Sequence, residues 1–258
     1  MRNMKKAIEY LVFFVAIQLI VTYCVMGVWY LVAGGVPKDN GALLVTTTIL
    51  FGVITVALFL WRRWMPVNGD FLKSRPLAVL FWTFLAAMGI IVPSLWLQEK
   101  MPELPNFLND SFEGLVNTPG GYLALGIIAP LAEEVVFRGA ILRSLLEKYS
   151  KPWTAIAISA LLFALIHLNP AQMPHAFLVG LLLGWMYWRT GSIIPGVLLH
   201  VVNNTVSYIM LRLYPQVEEM SLTDILGSEM GVLKAVGCSL LILLPSLYQL
   251  HLRMKRSR

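Results

Sequence analysis

PLAEEVVFRGAILRS, residues 130–144, sits inside a hydrophobic segment yet carries Glu133, Glu134 and Arg138 within six residues. In a water-soluble helix that pattern is ordinary. In a helix surrounded by lipid each charge is costly and marks either a paired structural group or a functional one. The reading of these fifteen residues therefore turns on whether the chain lives in a membrane.

Composition answers this. The 258 residues are 58% hydrophobic and 13% charged, against about 25% charged in an ordinary soluble domain. The apolar runs recur along the whole length and leave no room for a soluble domain. Only helices or closed barrels satisfy their backbone in lipid, and runs of this length exceed barrel strands. The expected fold is all-α: a polytopic membrane protein, a bundle of about eight transmembrane helices. Cys24 and Cys238 lie in separate apolar runs and read as buried free thiols. The net charge of +6 flanks the apolar runs, so it reports topology and argues against a nucleic-acid partner.

The expected spans are residues 7–33, 41–61, 76–97, 120–146, 153–167, 175–188, 193–213 and 232–251. The first is too long for a signal-peptide core and reads as an uncleaved span. Eight crossings put both termini on one side. Arg2, Lys5, Lys6, Arg62, Arg63, Lys73, Arg75, Arg143, Lys148, Lys151, Arg189 and the basic tail share that side. Lys38, Lys100, Arg212 and Lys234 fall on the other, among Glu99, Glu103, Asp110, Glu113, Glu218, Glu219, Asp224 and Glu229. The excess of Lys and Arg places both termini in the cytoplasm. Residues 1–119 hold the first three helices, 120–213 a core of helices four to seven, and 214–258 an acidic loop, the last helix and the tail, all in one membrane domain.

Few ionisable groups remain at membrane depth. Glu134 and Arg138 are four apart and share a helix face, which suits a structural ion pair. Glu133 lies about 100° round the helix from Glu134. It reads either as a second structural carboxylate or as a general base, whose protonation equilibrium burial tunes. His167 closes FALIH one turn after Phe163, and His200 and Asn204 share a face in HVVNN. Together the last two could donate hydrogen bonds to an oxyanion or simply join helices. Measured from the cytoplasmic flanks, Glu133 and His167 lie roughly 22 Å deep and His200 about 14 Å, so ordinary tilts of about 20° permit one shared site. Asn203 is expected to point elsewhere, and His175 reads as an interfacial residue.

Several chemistries lack their parts. Asp39, Asp70, Asp110 and Asp224 are all in loops, which disfavours an aspartyl pair, and no H-E-x-x-H occurs. Ser192 lies far in depth from any histidine. A carboxylate, two histidines and an asparagine remain, enough to activate water and hold a tetrahedral oxyanion.

EEVVFR, Phe163 with His167, and His200 with Asn204 resemble the three motifs E-E-x-x-x-R, F-x-x-x-H and H-x-x-x-N of the CPBP (Abi) family, which includes the type II CAAX prenyl endopeptidases. Arg189 to Asn204, RTGSIIPGVLLHVVNN, resembles that family's approach to its third motif. The resemblance implies a glutamate-dependent intramembrane endopeptidase acting on a membrane-associated peptide or prenylated protein. It implies that Glu133 and His167 activate water, that His200 and Asn204 hold the oxyanion, and that Glu134, Arg138 and Phe163 support them. A metal-free water mechanism is favoured, while the family's description as metal-dependent leaves open a zinc ion on Glu133, His167 and His200. It also admits a non-catalytic scaffold or bacteriocin-immunity protein. A transporter is a third reading, weakened by the lack of repeated halves.

Overall fold

The computed structural model describes residues 2–35, 41–67, 69–73, 76–102, 104–107, 109–216 and 220–254. Lys38, Asp39, Arg75, Glu103, Glu218, Glu219 and the last four residues of the basic tail lie outside the described residues. The described residues form eleven helices and no strand. They are α1 (Arg2–Ala33), α2 (Gly41–Trp61), α3 (Asp70–Lys73), α4 (Leu77–Glu99) and α5 (Asn109–Asn117). The continuous helical run 123–146 is α6. There follow α7 (Pro152–Leu165), α8 (Met173–Thr190), α9 (Ile194–Leu213), α10 (Leu222–Leu226) and α11 (Glu229–Arg253).

Among the described residues five helices are long and apolar enough to cross a membrane: α1 over Asn3–Val32, α2, α4, α9 and α11. The chain is a polytopic, all-helical membrane protein. The bundle is apolar outside and charged within. Leu31, Val32 and Leu241 face outward while Glu134 and Arg138 are fully buried, the reverse of a protein folded in water. Cys24 and Cys238 are free as expected but exposed rather than buried, on the outward faces of α1 and α11.

The element at the centre is α6, which packs against α1 and α2 on one side and α7, α8 and α9 on the other. Every residue from Val135 to Leu142 is buried. The edge of Phe137 meets Phe14 of α1 and Phe163 of α7, at ring separations of 5.6 and 5.3 Å. The helix is not uniformly α. Leu123–Ile128 and Val135–Leu142 are wound as wider π-turns, separated by the α-helical Ala129–Glu134. Widened turns of this kind are rare and concentrate at functional sites.

Close backbone approaches set the rest. On α4, a Cβ at Gly89 would lie 2.8 Å from the backbone nitrogen of Leu243, so α4 and α11 meet backbone to backbone, as small residues allow in lipid. On α8, Gly184 fits against Ile156 of α7. Gly191 ends α8 with φ +65°, the left-handed conformation of a helix C-cap.

Candidate active site

Four helices supply the site. From α6 comes the expected ion pair: Arg138 Nη1 donates to Glu134 Oε1 at 2.7 Å, both side chains out of contact with solvent. A buried pair of this kind holds together only if its remaining groups find partners. Arg138 Nη2 donates to the Gly180 carbonyl of α8 at 3.3 Å, and the guanidinium lies over the Phe163 ring at 4.3 Å, a cation–π contact strengthened by the absence of water. Glu134 Oε2 and Arg138 Nε have no hydrogen-bond partner among the described residues. Glu134 is wedged against α9: a Cβ at Gly196 would sit 2.7 Å from Oε2, so only glycine leaves the carboxylate its place.

His200 of α9 faces both glutamates. Its Nδ1 lies 3.1 Å from Glu134 Oε1 and its Nε2 3.6 Å from Glu133 Oε2. Glu133, unlike Glu134, keeps about a fifth of its side chain accessible. The first distance is a hydrogen bond; the second is beyond one.

His167 follows the end of α7, where the last carbonyls of a helix lack intrahelical partners. Its Nδ1 is 2.8 Å from the Phe163 carbonyl. A carbonyl can only accept, so Nδ1 carries the hydrogen, and in the neutral ring Nε2 keeps its lone pair. The turn is completed by Leu168 in the left-handed region, φ +52°. Phe163 is the common neighbour: its ring meets His167 edge-on at 4.9 Å and His200 at 5.6 Å, with Arg138 above. Asn204 donates through Nδ2 to the Leu125 carbonyl of α6 at 3.0 Å and accepts from Asn203 Nδ2 at 3.3 Å.

All seven expected side chains thus lie along the contacts among α6, α7 and α9. Glu134 with Arg138, both glutamates with His200, and Phe163 with both histidines are in direct contact.

A family description, type II CAAX prenyl endopeptidase Rce1-like, matches residues 116–206. An uncharacterized 24.3 kDa protein of Escherichia coli is 30% identical over 172 residues, covering 61% of this chain and 75% of that protein. The chain belongs to the Rce1-like type II CAAX prenyl endopeptidase family. No solved structure matches it. The Rce1-like segment contains every one of Glu133, Glu134, Arg138, Phe163, His167, His200 and Asn204, and it is the part of the bundle organised round α6.

Glu133, His167 and His200 were weighed above as zinc ligands. Among the described residues no three His, Cys, Asp or Glu side chains are grouped to hold a metal ion.

Two polar residues set aside in the sequence belong to this neighbourhood. His175 pairs through both ring nitrogens, with Ser94 Oγ at 2.9 Å and Asn203 Oδ1 at 3.1 Å. Asn203, expected to point elsewhere, is buried and joins His175 to Asn204. The signal for both was available: each is a polar side chain at membrane depth left over once the motif residues are assigned.

Proposed function

We propose that the chain is an intramembrane endopeptidase that cleaves a CAAX-type, membrane-associated peptide or prenylated protein. The observation that supports this best is the approach of Glu133 and Glu134 to one histidine, His200, inside the Rce1-like segment. In this reading Glu133, partly accessible, takes a proton from water, helped by the lone pair on His167 Nε2. The water oxygen adds to the scissile carbonyl, breaking its π bond. Nε2 of His200 lies too far from Glu133 to be committed to it; in the doubly protonated ring, with the Nδ1–H given to Glu134, it turns an N–H to the developing oxyanion, and Asn204 supplies a second N–H. Collapse of the tetrahedral adduct breaks the C–N bond, and the proton held at Glu133 passes to the departing amine. Glu134, clamped by Arg138, holds His200 through Nδ1. No step passes through a metal.

Residues 120–213 form the core in this reading, flanked by 1–119 and 214–258. Eight helical stretches cross the bilayer, with α6, α7 and α8 added to the five long spans, and both termini are cytoplasmic. The test is hydrolysis of a farnesylated peptide with a CAAX end by the full chain in proteoliposomes. Loss of a general base costs about 10²–10⁴-fold, so Glu133→Gln is expected to fall by that factor with the fold intact. Equal rates for the two proteins, or no cleavage by either, reject the reading.

A non-catalytic membrane scaffold is the second reading. The observation in its favour is that Glu134, Arg138 and His200 already bond to one another and to Gly180. It expects Glu133→Gln to retain biological function.

A further inference from the structure

Among the buried polar groups that the proposed reaction does not use, His175, Asn203 and Ser94 form a continuous chain ending at Asn204. Ser94 Oγ and His175 Nδ1 are 2.9 Å apart, His175 Nε2 and Asn203 Oδ1 3.1 Å, Asn203 Nδ2 and Asn204 Oδ1 3.3 Å, and Asn204 Nδ2 and the Leu125 oxygen 3.0 Å. The chain runs from α4 through α8 and α9 to α6.

Its direction can be derived from one end. In the π-wound turn the Ala129 N–H bonds to the Ala124 carbonyl. The Leu125 carbonyl would look one residue further on, to residue 130, but that residue is proline and has no N–H. The Leu125 carbonyl thus lacks the partner a π-turn would give it, at a depth where no water replaces it. Asn204 supplies the partner. A carbonyl only accepts, so the amide nitrogen of Asn204 must face it and its oxygen must face Asn203. Asn203 must then present its nitrogen to Asn204 and its oxygen to His175. His175 must carry its hydrogen on Nε2. In the neutral ring Nδ1 is then an acceptor, and the Ser94 hydroxyl gives its hydrogen to Nδ1 rather than to the Ile91 carbonyl, 2.9 Å away. Every orientation follows from Pro130.

The chain engages the oxygen of Asn204 and one of its two N–H groups, leaving the other as a single aimed donor. The geometry points to His175 as a positioning residue that, through Asn203, holds the Asn204 amide with one N–H turned into the site. This rests on the proposed reaction only for what that N–H donates to.

Two measurements test it. In full-length protein in bilayers, ¹⁵N-histidine labelling resolves the four histidines, assigned by single substitutions. His175 is expected neutral with its hydrogen on Nε2, and this signature is expected to be lost in Asn203→Leu. Hydrogen on Nδ1, or a signal indifferent to Asn203→Leu, overturns the relay whether or not any peptide is cleaved. The second measurement uses the farnesylated CAAX peptide as probe. Loss of one oxyanion donor costs about 10²–10³-fold in kcat. Misaligning it is expected to cost His175→Phe about tenfold in kcat with KM little changed. His175→Gln, whose amide nitrogen reaches the place of Nε2, restores most of the rate. Equal kcat for the Gln and Phe variants overturns the positioning role. Failure of the unsubstituted protein to cleave the probe rejects the proposed reaction instead, and the nitrogen spectrum then decides the relay by itself.

Discussion

Glu134 and Arg138 were legible from spacing alone, because a separation of four residues fixes their meeting on one helix. The contact of Glu134 with His200 was not, since nothing local in the sequence says which helix lies opposite α6. The same limit hid the partners of His175 and Asn203, which come from α4, α8 and α9. Removing one member of a buried ion pair costs about 3–5 kcal/mol, while replacing both by apolar groups of similar volume is often neutral or better. Arg138→Met is therefore expected to lower the unfolding temperature in detergent sharply, and Glu134→Gln with Arg138→Met to recover much of it. An additive double variant would show that the two charges are not coupled. Gly196 belongs to the same argument: the Cβ of Gly196→Ala would lie within van der Waals contact of the Glu134 carboxylate. Gly196→Ala is expected to reduce cleavage at least as strongly as it reduces stability, measured by parallel rate and melting assays.

The long helices were legible from hydrophobic runs, with ends differing by up to five residues, as where α1 begins at Arg2 against the expected residue 7; the short helices α3, α5 and α10 were not expected. What the runs did not disclose is the winding of α6. The signal was Pro130, which removes the N–H that a π-turn would offer to Leu125, but reading it requires knowing that the turn is π-wound. Between elements, the backbone contact at Gly89 makes a direct prediction. Gly89→Leu must push α11 away from α4 and is expected to lower the protein's melting temperature more than the same change at Gly27, where a Cβ meets nothing within 4 Å. Equal losses would mean that α4 and α11 are held chiefly elsewhere. At α10 the cap itself titrates. The Ser221 hydroxyl and backbone N–H both donate to Asp224 Oδ2, and these bonds hold the Asp224 carboxyl below its ordinary value. A depressed folded pKa gives stabilisation that is complete above the unfolded value and is lost as pH falls through the folded one. Protection of the Ser221 amide, measured by hydrogen exchange, is thus expected to persist in mild acid and to fall below the usual aspartate range, and Asp224→Asn is expected to remove that dependence.

Outside the site, two further groups of hydrogen bonds and contacts join residues far apart in sequence. In the first the Glu99 carboxylate accepts from the Leu222 N–H, the Ala171 N–H donates to the Pro105 carbonyl, Asn169 bonds to Asn106, and Arg212 to Asn117. The loops after α4, α7 and α9 therefore sit together. In the second Arg189 donates to the carbonyls of His251 and Met254 and so caps α11, while Met4, Lys5 and Lys148 line one depression. The eight crossings proposed above would leave both termini at one face of the membrane, whereas five would leave them at opposite faces. The basic residues used to orient the chain are then mostly at the face of the termini. With Cys24 and Cys238 replaced by serine, a cysteine introduced at Lys148 is expected to react with a membrane-impermeant maleimide only in inverted vesicles, and one introduced at Ser228 only from outside intact cells. The reverse pattern would turn the bundle over while keeping eight crossings. Labelling of both positions from one side would remove the eight-crossing topology, and with it the placing of Glu133 and His167 at similar depth, on which water activation between α6 and α7 depends.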